Sequence, residues 1–101
     1  MTAKQILKEF EENFDKATQI VERLRNENEN HLAHSLEKAL NGLGGDLIDG
    51  AADQWVLRKK YLEDWLQKHS GSLIAEEKIL LKRTAELSFE YIKAYNTNSL
   101  K

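Results

Sequence analysis

The chain is expected to be all-α, an up-and-down antiparallel helical bundle, and three observations lead there. It contains no proline. Four of its five glycines, Gly42, Gly44, Gly45 and Gly50, crowd between Asn41 and Gly50, and only Gly71 lies outside that window. Proline breaks helices and glycine ends them, so the blocks on either side of the cluster are helix-compatible throughout. Within both blocks apolar residues recur at three- and four-residue steps, the period of a helix with one buried face.

The first helix is expected over 3–26. Thr2 stands three residues before Gln5, the spacing of a capping box. Ile6, Phe10, Phe14, Ala17, Val21 and Leu24 draw its stripe, which stops where residues 26–30 read Asn-Glu-Asn-Glu-Asn. Asparagine competes for backbone hydrogen bonds and favours caps and turns. A break is therefore expected, with Asn28 or Asn30 capping a short second helix over 30–41. Its apolar side is Leu32, Ala33, Leu36, Ala39, Leu40 and Leu43. The alternative keeps residues 2–41 as one bent helix and makes the bundle three-helical.

The third helix is expected over 47–68, with Asp46 as N-cap and Asp49 and Asp53 near its positive end. Its buried face would be Ile48, Ala51, Ala52, Trp55, Leu62, Trp65 and Leu66. Gly71 is placed to end it in a left-handed cap. Ser72 would then cap the fourth helix, over 73–95, whose first turns carry Glu76 and Glu77. Ile74, Leu81, Ala85, Ser88, Ile92 and Tyr95 form its stripe, widened by Leu80, Leu87 and Tyr91. The polar tail 96–101 is expected to fray. Short links between amphipathic helices favour antiparallel neighbours, so four helices, one of them short, is the preferred layout.

At 101 residues, 41% hydrophobic and 32% charged, the chain has the composition of one soluble helical domain rather than a disordered segment. It has no cysteine, which excludes disulfides, thiolate metal sites and a cysteine nucleophile. Fifteen basic and seventeen acidic residues leave a net charge of −2, against a nucleic-acid partner. The densest basic run, Arg58-Lys59-Lys60, is followed one turn later by Glu63 and Asp64 and reads as a solvated helix face. Lys4, Lys8 and Glu9 interrupt the first apolar residues, unlike a signal peptide. No apolar run approaches the roughly 20 residues of a membrane-spanning helix. The expected location is the cytoplasm, with no membrane partner.

No catalytic signature is legible, and the chain is expected not to be an enzyme. The turn Gly42-Leu43-Gly44-Gly45 lacks the lysine of a phosphate loop and follows no strand. Glu27, His31 and His34 would share a face on a continuous helix, as metal ligands can. A bundle metal site, however, needs Glu-x-x-His from two helices, and the later half offers none. No metal and no cofactor are expected. His69 at a helix C-terminus is accounted for by the helix dipole.

Leu32-Ala33-His34-Ser35-Leu36, then Ala39, Leu43-Gly44, Asp46 and Ala51-Ala52, resembles the active-site region of histidine-phosphotransfer domains, small helical bundles that relay a phosphoryl group between response-regulator aspartates. The likeness covers residues 32–52. It implies that His34 is a phosphoacceptor and that Ser35 to Leu40 form a docking surface. The family places lysine three residues and glycine four residues after its histidine; here Glu37 and Lys38 hold those positions. Glu37 is expected to repel an incoming phosphoryl group, and Lys38 to crowd its approach.

The leading functional expectation is a non-enzymatic interaction protein of adaptor, immunity, antitoxin or accessory type, binding another protein or itself as a homodimer. Trp55, Tyr61, Trp65, Phe89, Tyr91 and Tyr95 are more aromatic side chains than one small bundle must bury. Such residues tend to anchor interfaces. Tyr61, off the main stripe and beside Arg58 and Trp65, is the expected exposed anchor.

Overall fold

A computed structural model describes residues 2–42 and 51–99, and the side chains of 2–42 and 54–95. Among the described residues there are four helices, α1 (Ala3–Asn26), α2 (Asn30–Leu40), α3 (Ala51–His69) and α4 (Ala75–Ser99), with one 3₁₀ turn (Ser70–Ser72) between the last two. The fold is an all-α antiparallel bundle with one short helix, and no strand occurs among the described residues. The expected N-cap Asp46, the acidic Asp49, the apolar Leu43 and Ile48, and the expected helix start at 47 lie outside the described residues. So do the side chains of Ala51, Ala52 and Asp53.

The first helix begins as its capping box requires. Thr2 Oγ1 accepts the Gln5 N–H at 3.2 Å, and Gln5 Oε1 accepts the Thr2 N–H at 2.8 Å. Its end settles the choice between a bent and a broken helix. Asn28 adopts φ +63°, the Asn28 N–H donates to the Arg25 carbonyl (3.1 Å), and the Glu29 N–H donates to that of Leu24 (2.8 Å). This is the Schellman closure, and it satisfies two carbonyls that have no partner inside the helix. Asn28 therefore closes α1 instead of capping α2. The N-cap of α2 is Glu29, which makes no side-chain capping bond.

The second helix ends on Gly42, at φ +74°, with its N–H on the Ala39 carbonyl at 3.0 Å. A Cβ there would also meet the Gln54 carbonyl at 2.7 Å. Glycine is thus required twice, by left-handed backbone and by the close passage of α3. Gly71 does not take the left-handed cap expected of it, because the chain leaves α3 through the 3₁₀ turn. Ser72 is not the cap of α4 either. The residue before the helix is Ile74, whose N–H donates to Glu77 Oε1 at 3.1 Å. Outside the helical register, Ile74 stands 62% exposed, and Leu73 takes the buried place instead. Tyr95, also expected inside, is 52% exposed. The fourth helix runs on to Ser99, through residues expected to fray.

The helices pack in a ring, α1 against α2 and α4, α3 against α2 and α4. A helix of eleven residues is about 17 Å long at 1.5 Å per residue, so α2 closes only one end of the ring. There the main core gathers Ile20, Val21 and Leu24 of α1, Leu36 and Leu40 of α2, Leu62 and Trp65 of α3, and Leu81 of α4. Burying each such side chain contributes roughly 1.5–3 kcal/mol. At the other end a smaller cluster of Ile6, Phe10 and Leu87 carries Trp55 and Tyr91 on its margin, and Phe14 packs against both clusters. Thr84 and Ser88 are fully buried on α4, where each hydroxyl donates to a helix carbonyl, Leu80 and Trp55 respectively, at 2.7 Å. Arg23 holds the end of α1 to the start of α4 through a two-pronged pair with Glu77, at 2.9 and 2.6 Å.

Candidate functional site

A groove of about 450 Å³ opens between α2 and α3. Both walls are built by one helical rule. On α2 the groove-facing residues are His31, His34, Ser35 and Lys38; on α3 they are Tyr61, Asp64, Trp65 and Lys68, with His69 beside them. Each set follows the i, i+3, i+4, i+7 spacing that lines one face of a helix. The floor is pinned by a hydrogen bond from Trp65 Nε1 to Ser35 Oγ at 2.8 Å, while the Ser35 hydroxyl donates to the Leu32 carbonyl at 3.0 Å. His69 lies against the Trp65 ring, 5.3 Å between centroids. His31 and His34 are exposed, and neither makes a hydrogen bond or ion pair among the described residues.

The surroundings of His34 differ from expectation in a way that helix geometry explains. Glu37 lies on the other flank of α2, where its carboxylate meets Arg25 of α1 at 3.1 Å. It does not line the groove, so its charge is paired with Arg25 instead of standing beside His34. Lys38, one turn on from His34, does line it. The docking surface implied over Ser35 to Leu40 is not continuous, because Leu36, Ala39 and Leu40 are buried in the core. The face that Glu27 would share with His31 and His34 does not form. The helix breaks between them, and Glu27 turns back to Arg23 at 2.5 Å.

Of the three residues expected to form an interface anchor, the structure separates one from the others. Tyr61 is half-buried on the groove wall. Trp65 is only 5% exposed and serves as the floor. Arg58 points inward, to the C-terminal end of α2. Its Nε donates to the Leu40 carbonyl (2.5 Å) and its Nη1 to Ser88 Oγ (3.1 Å). Its guanidinium stacks on Phe10 and Trp55, 4.8 and 4.6 Å from the ring centroids. Desolvation lowers the Arg58 pKa to about 10, which still leaves it charged at neutral pH. The cation is held by the negative end of α2, a helix carbonyl and two aromatic faces. Arg58 is a structural latch, because its long side chain reaches from α3 to the end of α2 and to Ser88 of α4.

Two further apolar residues, Val56 and Phe89, are exposed side by side on the α3–α4 face, with Lys59 Nζ 5.8 Å from the Phe89 ring centroid. Sequence reading named none of Ser35, Lys38, Asp64 and Lys68 as facing residues of one groove. Their shared spacing on two helices was the available signal, but only the pairing of α2 with α3 turns it into a site. No protein-family model, curated protein or solved structure matches the chain.

Proposed function

We propose that the protein is a small non-enzymatic interaction module that binds another protein, or a second copy of itself, across the α2–α3 groove. The observation that carries this is the groove itself, a concave strip with a rigid indole floor, a half-buried Tyr61 and two exposed histidines that the fold does not use. Aromatic floors with polar rims suit protein contacts. The test is affinity capture from the native host with wild type, Tyr61→Ala and Phe89→Ala side by side. A protein held by wild type and Phe89→Ala but lost with Tyr61→Ala supports the groove. A protein held equally by wild type and Tyr61→Ala moves the interface elsewhere, and the Val56–Phe89 face with sedimentation of the purified chain is then the test of self-association.

A second reading, phosphotransfer through His34, is favoured by one arrangement: an exposed mid-helix imidazole, with Glu37 drawn off to Arg25 and Lys38 left beside it. Incubation with phosphoramidate should place acid-labile, alkali-stable phosphate on wild type and none on His34→Ala. An unlabelled wild type, or equal labelling of both, rejects this reading.

A further inference from the structure

The charges around the groove indicate what it binds. Lys38 on α2 and Lys68 on α3 face the same space, and neither is in an ion pair among the described residues. The arginines are otherwise committed: Arg23, Arg25 and Arg83 to carboxylates, and Arg58 to the interior. Among the described residues, Asp64 is the one carboxylate on the groove wall. The two ammonium groups against it leave one net positive charge before any of the three imidazoles takes a proton. The whole chain carries −2, so the groove runs against the sign of the molecule around it. Two separated cations on opposite walls, over an apolar floor of Trp65 and Tyr61, match a chain segment that carries carboxylates along its flanks and an apolar side chain between them. They do not match a basic or neutral partner, which would leave both lysines unanswered. Charge complementarity of this kind sets specificity and rate of association more than raw affinity.

We infer that the α2–α3 groove receives an acidic segment of a partner protein, its carboxylates answering Lys38 and Lys68 and its apolar side chain resting on the Trp65–Tyr61 floor. This rests on the interaction reading above and specifies the partner's chemistry.

The probe is a short peptide alternating glutamate with leucine, compared with its glutamine counterpart, titrated into isotope-labelled protein and followed by NMR. The Trp65 and Trp55 indole N–H signals report the groove floor and the opposite end of the bundle separately. With the acidic peptide, the Trp65 indole and the backbone signals of His34, Lys38 and Lys68 should shift saturably while Trp55 stays. The glutamine peptide, high salt, and the Lys38→Glu/Lys68→Glu variant should each weaken binding about tenfold or more. A control pair on other surfaces, Lys16→Glu/Lys82→Glu, should change it little. Absence of saturable shifts, equal binding of the glutamine peptide, or equal weakening by the control pair would overturn the inference. Its failure is separable from that of the interaction reading. A captured partner lost with Tyr61→Ala but indifferent to Lys38→Glu/Lys68→Glu and to salt leaves the groove as an interface and removes the acidic segment.

Discussion

Arg58 carries a charge into the interior, and its cost and benefit are decided within a few ångströms. Its hydrogen bonds to Leu40 and Ser88 and its two aromatic faces offset only part of the desolvation, which still lowers its pKa. Truncation to alanine leaves a cavity, an unpaired Leu40 carbonyl and a lost partner for Ser88. Arg58→Ala is expected to cost about 2–4 kcal/mol. Arg58→Met keeps most of the volume and removes the buried charge, and should cost about 1 kcal/mol. The two are told apart by urea unfolding, and equal losses would mean that volume is irrelevant at this site. The lowered pKa also has a direction. Because the folded state gives up the Arg58 proton near pH 10 while the unfolded chain keeps it to higher pH, folding gains stability as pH rises through that value. The gain is present in wild type and absent in Arg58→Met, so the stability difference between them should move in favour of wild type above about pH 10.

At the scale of elements, two left-handed residues end two helices and respond oppositely to substitution. Asn28 is an L-residue held at φ +63°, a conformation that glycine adopts at lower cost. Asn28→Gly should therefore be neutral or stabilising by up to about 1 kcal/mol, and Asn28→Val destabilising by about 1–2 kcal/mol. Gly42→Ala meets both the left-handed backbone and the Gln54 carbonyl, and should cost more than about 2 kcal/mol. Thermal unfolding midpoints rank the three variants, and a stable Gly42→Ala would show that α3 does not pass so close. The break at Asn28 was legible because five consecutive polar side chains interrupt the stripe, although the role assigned to Asn28, a cap for α2, belonged to the other helix. Ile74 was misplaced for a related reason. Periodicity locates a helical face but not the residue at which the helix starts, and a shift from 73 to 75 takes Ile74 off its stripe.

For the molecule as a whole, the ring of helices is closed by α1 against α4, and Arg23 stands at that closure. Its partner Glu77 has a side chain only 14% exposed and also receives the Ile74 N–H. Hydrogen bonding to Glu77 first, and to Glu27 second, raises the Arg23 pKa. Arg23 therefore stays charged over the working pH range and its contribution does not titrate there. Glu77→Gln is expected to cost about 1 kcal/mol, since Arg23 itself is about a third exposed and screened by solvent. The loss should shrink at high salt, measured as the difference in urea midpoint between low and high ionic strength. A loss that grows with salt would assign the effect to packing instead. The three exposed or half-exposed sites that function is read from, His34, Tyr61 and the lysine pair, lie on the ring's other seam, between α2 and α3.

The sequence by itself determined the helical class, the glycine-marked division of the chain, the break after α1 and most of the buried stripes. These follow from local rules: a period of 3.6 residues, capping chemistry, and the absence of proline. Tertiary structure alone decided that Arg58 turns inward, that Glu37 answers Arg25 and leaves the side of His34, and that Lys38 and Lys68 line one groove. Those outcomes depend on which helices become neighbours and on how far the shortest one reaches. A charged side chain reads as surface until neighbouring helices bring a helix carbonyl and aromatic faces within its reach and make a half-buried place favourable for it.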